Sequence, residues 1–326
     1  MGVLLIASVT GLLGAVQPQV PVFPVGTDLV YVVVNATRKS GEAVQDLSAA
    51  DFVITEDGER RTVAAFSRAA DTTETRTTES DVEIILLMDT SSSMRETIER
   101  SRDLAVEFLK GIPKVARRGL LTFDGDVRAW FYDEAQPLAS VTAAISRTVG
   151  AGSRLYDGII GAANLMEPQR QRRIIVALTD GLDEGSKANR ETAIKALQDR
   201  GITFYAVSFA ASLGVEAPVR QSLYARMPVP TQSYAERAAL NLHALATATG
   251  GFVAQGTATD LRAEFHQIRQ DISTQYVIGF EPGTKTRKGR RHELRIESRR
   301  DGVRLRYRRE YGETPPTQSA QAFSPL

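Results

Sequence analysis

Between residues 82 and 208 the chain alternates short, unbroken apolar runs with stretches in which apolar positions recur every three or four residues. Ile84-Ile-Leu-Leu-Met88 and Ile174-Ile-Val-Ala-Leu178 show no polar residue at alternate positions, the pattern of strands whose two faces are both covered by helices in a parallel sheet. Strands are expected over 83–88, 119–123, 173–179 and 202–208. The spacing of Ile98, Ala105, Phe108 and Leu109, and again of Leu261, Phe265 and Ile268, predicts helices that cover them. A further strand from Val127 to Tyr132 follows the turn-prone Asp124-Gly125 and predicts one antiparallel edge. This is the punctuation of an α/β unit with a doubly wound, mostly parallel sheet.

The flanks read differently. Asp28 to Asn35 and Phe52 to Thr55 are β-branched runs on either side of the turn-prone Lys39 to Glu42, and predict antiparallel strands. Strand signal returns in Tyr276 to Phe280, His292 to Ser298 and Val303 to Tyr307, the last two joined around Asp301-Gly302 as a half-buried hairpin with cross-strand ion pairs. The economical architecture is one β-sandwich built from both ends of the chain, with the α/β unit inserted. The expected divisions are a leader over 1–16, an N-terminal β segment over 17–69, a linker over 70–80, the α/β domain over 81–274, a C-terminal β segment over 275–312 that pairs with the N-terminal one, and a disordered tail over 313–326.

Composition narrows the partner. With 326 residues, 42% apolar and 24% charged, the chain has the makeup of ordinary globular domains. A net charge of +1 gives no global reason to expect a nucleic acid, and the C-terminal basic patch, Arg287 to Arg291 with Arg304, Arg306, Arg308 and Arg309, reads as part of the half-buried hairpin with its cross-strand ion pairs instead. Val3 to Val16 has the length of a signal-peptide core and is too short to span a bilayer, so export to a periplasm or the extracellular space is expected, with no spanning helix after processing. The absence of cysteine excludes disulfides and thiolate metal sites. His243, His266 and His292 lack any zinc-ligand spacing.

The candidate chemistry sits where the first buried strand ends. Asp89-Thr-Ser-Ser-Ser93 falls at the C-terminal edge of the sheet, where open α/β folds bind ligands. A carboxylate followed by hydroxyls two and four residues on offers only hard oxygen donors, the type Mg²⁺ takes. Ser93 with Glu96 also makes an ordinary helix capping box, so the motif alone leaves both readings open. Ser153, on the Gly-rich stretch Gly150-Ala-Gly-Ser153, and Asp180, at the end of another buried strand, aim oxygens at the same edge. Asp183 and Glu184 read as a solvated loop.

These segments resemble the von Willebrand factor A family over roughly 82–274. Its metal-ion-dependent adhesion site is Asp-x-Ser-x-Ser, a Thr on a second loop and an Asp on a third, elements on which Asp89, Ser91, Ser93, Ser153 and Asp180 fall. Ser153 replaces the Thr, keeping the oxygen and losing the methyl that stiffens the side chain. The flanking segments Asp51 to Gly58 and Tyr276 to Phe280 look like those of bacterial A-domain proteins described from acidobacteria. The resemblance implies Mg²⁺ as cofactor, with Mn²⁺ or Ca²⁺ as substitutes, direct binding by Ser91, Ser93 and Ser153, and contact through water by Asp89 and Asp180. It implies a non-enzymatic adhesion module whose partner is a protein or peptide with an exposed carboxylate. The long segment 211–233, with Arg220, Tyr224, Arg226, Pro228 and Pro230, is expected to supply specificity, and the helix from Asp260 to Ile272 to couple the site to the sandwich. Rival readings are a Mg²⁺-dependent phosphatase or phosphotransferase with Asp89 as nucleophile, for which the second Asp needed two residues on is here Ser91, and a metal-free scaffold.

Overall fold

The structure is a computed structural model and describes residues 29–69, 82–95, 97–112, 116–132, 150, 152–168, 170–209, 234–255, 261–283 and 290–312. The expected leader, linker and tail, Glu96, the 211–233 segment and residues 287–289 of the basic run lie outside these.

The N-terminal strands are β1 (Val30–Arg38), β2 (Phe52–Glu56), β3 (Glu59–Arg61) and β4 (Val63–Arg68). The α/β unit follows as β5 (Val82–Asp89), α1 (Ile98–Lys110), β6 (Arg117–Phe123), β7 (Val127–Tyr132), α2 (Leu155–Leu165), β8 (Arg172–Thr179), α3 (Arg190–Asp199), β9 (Ile202–Ser208), α4 (Tyr234–Thr249), β10 (Val253–Gln255) and α5 (Leu261–Ser273). The chain closes with β11 (Tyr276–Phe280), β12 (Arg291–Ser298), β13 (Val303–Arg306) and β14 (Glu310–Gly312).

The central sheet has six strands in the order β10-β9-β8-β5-β6-β7. All neighbours run parallel except the β6/β7 edge pair. Successive residues of β5 feed opposite faces. Ile84, Leu86 and Met88 pack with Phe108 and Leu109 of α1 and Phe265 and Ile268 of α5, whereas Ile85 and Leu87 pack with Leu155 and Ile159 of α2, Leu197 of α3 and Leu242 and Leu245 of α4. Two-sided coverage is why no polar residue interrupts the run from Ile84 to Met88. No apolar spacing in the sequence singles out helices α3 and α4, because Ala193, Ala238 and Ala246 occupy buried positions there and give little hydropathy contrast.

The remaining strands make two four-stranded antiparallel sheets, β13-β1-β11-β4 and β14-β12-β2-β3. Each draws on both ends of the chain, and their facing sides share one core that includes Val32, Val34, Ile54, Ile278, Phe280, Leu294 and Ile296. Strand partnership differs from expectation in two places. β1 and β2 are not neighbours: the turn at Arg38 to Glu42 returns only as far as the Thr37–Ala43 bridge, after which the chain crosses to the other sheet. Nor do β12 and β13 form a hairpin, since Asp301-Gly302 carries the chain between sheets, β13 pairing with β1 and β12 with β2 and β14. Alternation fixes which face is buried and leaves open which strand lies alongside. The expected ion pairs become Arg295–Glu297 within β12 and Arg291–Glu310 across β12 and β14.

The basic residues after Gly302 fasten the sandwich to the α/β unit. Arg308 is buried and donates to the backbone carbonyls of Gln198 and Tyr31, and Arg306 pairs with Asp271 of α5. The joint closes on Gly250, directly after α4. Its carbonyl accepts from Asn35 Nδ2 at 3.2 Å and Arg306 Nη1 at 3.3 Å, its φ is +83°, and a Cβ there would lie 2.6 Å from the Tyr307 Cα. Left-handed backbone and close approach together demand glycine. Gly250→Ala is therefore expected to destabilise the protein by on the order of 2 kcal/mol, read as a drop of several degrees in thermal unfolding; an unchanged midpoint would show that the joint does not contribute to folding.

Candidate metal centre

Three loops meet at the C-terminal edge of the central sheet. The first leaves β5 at Asp89, which has no solvent exposure, since its strand is flanked by β6 and β8 and its side chain turns into the sheet edge. Asp89 Oδ1 accepts from the Ser91 backbone N–H at 2.9 Å, and Oδ2 accepts from the Thr179 hydroxyl at 2.7 Å. A single 3-10 turn, Ser92–Met94, brings the Ser93 hydroxyl back to 3.0 Å from that of Ser91. Ser91 is buried and Ser93 exposed, so the hydroxyl pair runs from the interior to the surface.

The second loop is drawn in by backbone pairing. Gly150 N–H donates to the Thr90 carbonyl at 3.1 Å, and Gly150 bridges Ser91. A Cβ on Gly150 would sit 2.3 Å from Asp124 Oδ2, so a glycine is what lets this loop close over the buried Asp124. That carboxylate accepts from Asp126 N–H and Arg128 and anchors the β6/β7 turn, as its hairpin position predicts. Ser153 is buried, and its hydroxyl donates to the Leu182 carbonyl at 2.9 Å.

The third loop leaves β8 at Thr179. Asp180 is fully buried; Oδ1 accepts from Leu182 N–H at 2.9 Å, and among the described residues Oδ2 has no hydrogen-bond partner. Gly181 follows with φ +85°, and a Cβ there would meet the Ala238 carbonyl at 2.8 Å. Thus Asp89, Ser91, Ser93 and Asp180 gather at one point, and Ser153 is bonded to the loop that carries Asp180.

Burial pushes the Asp89 carboxyl up to about 7, and the Asp180 charge beside it adds to the rise, while the Ser91 hydroxyl and Thr179 offset part of it. Burial likewise raises Asp180, partly offset by the Ser93 hydroxyl. Two buried carboxylates side by side repel, and a divalent cation removes that repulsion. A fully buried carboxylate oxygen without a partner, an all-oxygen donor set and two negative charges suit a hard dication. Among the described residues no three His, Cys, Asp or Glu side chains gather as a metal cage, so a cation here relies on hydroxyls beyond the two carboxylates.

Residues 84–182, which carry all three loops, match the von Willebrand factor type A domain family. The chain contains a von Willebrand factor type A domain. Similar solved structures include an aerotolerance-related membrane protein from Bacteroides fragilis, at 19% identity over 59% of this chain and 98% of that one, TM-score 0.43. BatB from Bacteroides thetaiotaomicron aligns at 18% identity over 59% and 100%, TM-score 0.44. Proximal thread matrix protein 1 from the mussel byssus, in a form with a zinc-occupied MIDAS motif, aligns at 15% over 62% and 48%, TM-score 0.41. No curated protein matches the chain.

Several supporting residues of the A domain escape a motif reading. Thr179 joins Asp89 to the third loop, donating to Asp89 and accepting from Gly181 N–H at 3.0 Å. Asp183 lies half-buried on a loop with Glu184 and Gly185 exposed after it, and it also accepts from Tyr156 N–H, Ser186 N–H and the Ser186 hydroxyl. His292 is an interior histidine, with Nδ1 at 2.9 Å from Asp57 Oδ2 and its ring stacked on Tyr311. Among the described residues no helix is long and apolar enough to cross a membrane.

The raised carboxyls set a sign for pH. An acid whose folded-state pKa lies above its unfolded value contributes stability that is present below the unfolded pKa and is lost as pH rises through the folded one. In chelator, the thermal midpoint is therefore expected to fall between about pH 4 and about pH 8, with Asp180→Asn flattening the fall by removing the neighbouring charge. A midpoint that holds constant or rises across this window contradicts the carboxylate pairing.

Proposed function

We propose that the A domain binds an acidic group of a partner protein or peptide through a divalent cation held by Asp89, Ser91, Ser93, Ser153 and Asp180, and that it works as an adhesion or protein-binding module and not as an enzyme. The observation that carries this reading is the pair of buried carboxylates, one oxygen of which has no hydrogen-bond partner among the described residues. Bound there, Mg²⁺ or a similar hard dication supplies an electrophilic position at the surface that a partner's carboxylate can occupy.

The chain's own residues do the rest. Asp89 and Asp180 together neutralise the cation, so attraction to a further carboxylate comes from unsatisfied coordination and not from bulk positive charge. Ser93, exposed at the rim, lies where a partner would meet the site, and Ser91 and Ser153 form its buried wall. The Ser153 proton is committed to the Leu182 carbonyl, which leaves its oxygen lone pairs available as a ligand. The nucleophile reading is less well supported, because both Asp89 oxygens already accept hydrogen bonds and the side chain is closed off from solvent. Export of the chain is part of the same proposal and rests on the apolar run at 3–16.

Calorimetric titration of Mg²⁺ or Mn²⁺ tests the site directly. Wild-type protein is expected to give a saturable isotherm with about one ion per chain, and Ser91→Ala/Ser93→Ala to lose at least tenfold in affinity; equal heats from the two proteins remove the site. An immobilised acidic peptide is expected to retain the loaded protein and release it in chelator, while phosphatase activity abolished by Asp89→Asn would favour the enzyme reading.

A further inference from the structure

Beside the five proposed ligands lies a second set of polar contacts that none of them makes. It joins the first turn of α2, directly after Ser153, to the segment 182–188, directly after Asp180. Asp157 accepts from the backbone N–H groups of Lys187 at 3.0 Å and Ala188 at 3.1 Å. In the opposite direction Asp183 accepts from the Tyr156 N–H at 3.1 Å. Ser186 sits between them, its hydroxyl donating to Asp183 at 2.5 Å and accepting from the Asp157 N–H at 3.0 Å. Two aspartates thus exchange bonds across the two loops, each using its carboxylate to satisfy backbone donors of the other segment.

The placement of this brace gives it a consequence at the metal centre. Among the described residues, Ser153 itself is bonded to the Asp180 loop by a short link, its hydroxyl donating to the Leu182 carbonyl and its carbonyl accepting from the Glu184 N–H at 2.9 Å. Each side of that link adjoins a glycine with positive φ, Gly152 at +84° and Gly181 at +85°, where the backbone has more freedom than elsewhere. A serine side chain also lacks the γ-methyl that limits χ1 in threonine. Neither the backbone nor the rotamer of Ser153 is stiff by itself, so its position must come from what the neighbouring segments are tied to.

We infer that Asp157 and Asp183 are positioning residues that lock the Ser153 loop to the Asp180 loop and so fix the distance between these two ligands. The inference rests on the metal reading of the site. It adds a role for two carboxylates that are not among the proposed ligands, and it makes the second and third loops one braced unit.

The test is a double-mutant cycle read by Mn²⁺ calorimetry on the full chain. Asp157→Ala and Asp183→Ala are each expected to weaken Mn²⁺ binding about tenfold or more, whereas Asp46→Ala, which breaks a surface pair with Arg300 in the sandwich, leaves it unchanged. In a Ser153→Ala background, where the ligand being positioned is gone, Asp157→Ala is expected to cost little further affinity. Thermal unfolding in chelator identifies variants that retain the fold, and Asp157→Asn and Asp183→Asn, which keep one acceptor oxygen each, take their place if the alanine variants do not. Folded variants that bind Mn²⁺ within about twofold of wild type, or that lose as much in the Ser153→Ala background as in wild type, overturn the inference. A flat isotherm from the wild-type protein overturns the metal reading and this inference with it, so the two failures are distinguishable.

Discussion

The constraint on which the rest of the structure depends is the burial of two carboxylates at the ends of adjacent parallel strands. Asp89 terminates β5 and Asp180 follows β8, and both side chains are withdrawn from water. An ordinary protein interior does not tolerate this arrangement without compensation, because each charge is desolvated and each raises the cost of ionising the other. The surroundings answer with hydrogen bonds from Ser91, Thr179 and Leu182, and among the described residues still leave one Asp180 oxygen unmatched. Residual mismatch of this kind, at the ligand-binding edge of an open sheet, is what the proposed cation would relieve.

Holding that arrangement falls to backbone geometry more than to side-chain packing. Gly150 and Gly181 each occupy positions where a Cβ would collide with a neighbouring carboxylate or carbonyl, and both sit within the loops that close on the pair. Thr179 occupies the space between the strands, passing a hydrogen bond from Gly181 through its hydroxyl to Asp89. The site is thus a consequence of three chain segments approaching more closely than residues larger than glycine permit. Packing beneath, from Met88 and Leu178 on one face and Leu87 and Ala177 on the other, fixes the strands that launch those segments.

Much of this was legible in the chain itself. Unbroken apolar runs ending in Asp or Thr-Asp gave the strands and the edge on which the candidate residues lie, because burial on both faces leaves a strong and simple pattern. The helices α3 and α4 were not legible, since alanine at core positions blurs the helical period. In the sandwich, alternation correctly marks Leu294 and Ile296 as inward-facing, and says nothing of the fact that Val303 lies in the opposite sheet. The roles of Asp157 and Asp183 were hidden for a further reason. Their partners are backbone N–H groups about thirty residues away in sequence, and no residue-type pattern records which amide a carboxylate will meet.

The two ends of the α/β unit are held by different means, and this bears on how a signal at the proposed cation site could reach the sandwich. At the far end, Asp271 of α5 accepts from Tyr205 at 2.7 Å and pairs with Arg306 of β13, while Gln275 donates to the Tyr205 hydroxyl at 3.0 Å and accepts from Arg172 at 3.1 Å. Arg306 also stacks over Phe252. A displacement of α5 along its axis would have to break the Tyr205 and Arg306 contacts together, stranding a buried tyrosine hydroxyl and a largely buried carboxylate. Each stranded group costs on the order of 1–3 kcal/mol. The helix therefore resists graded motion. If binding does move it, the whole joint with β13 changes state at once, and the coupling proposed between site and sandwich is a two-state event or none.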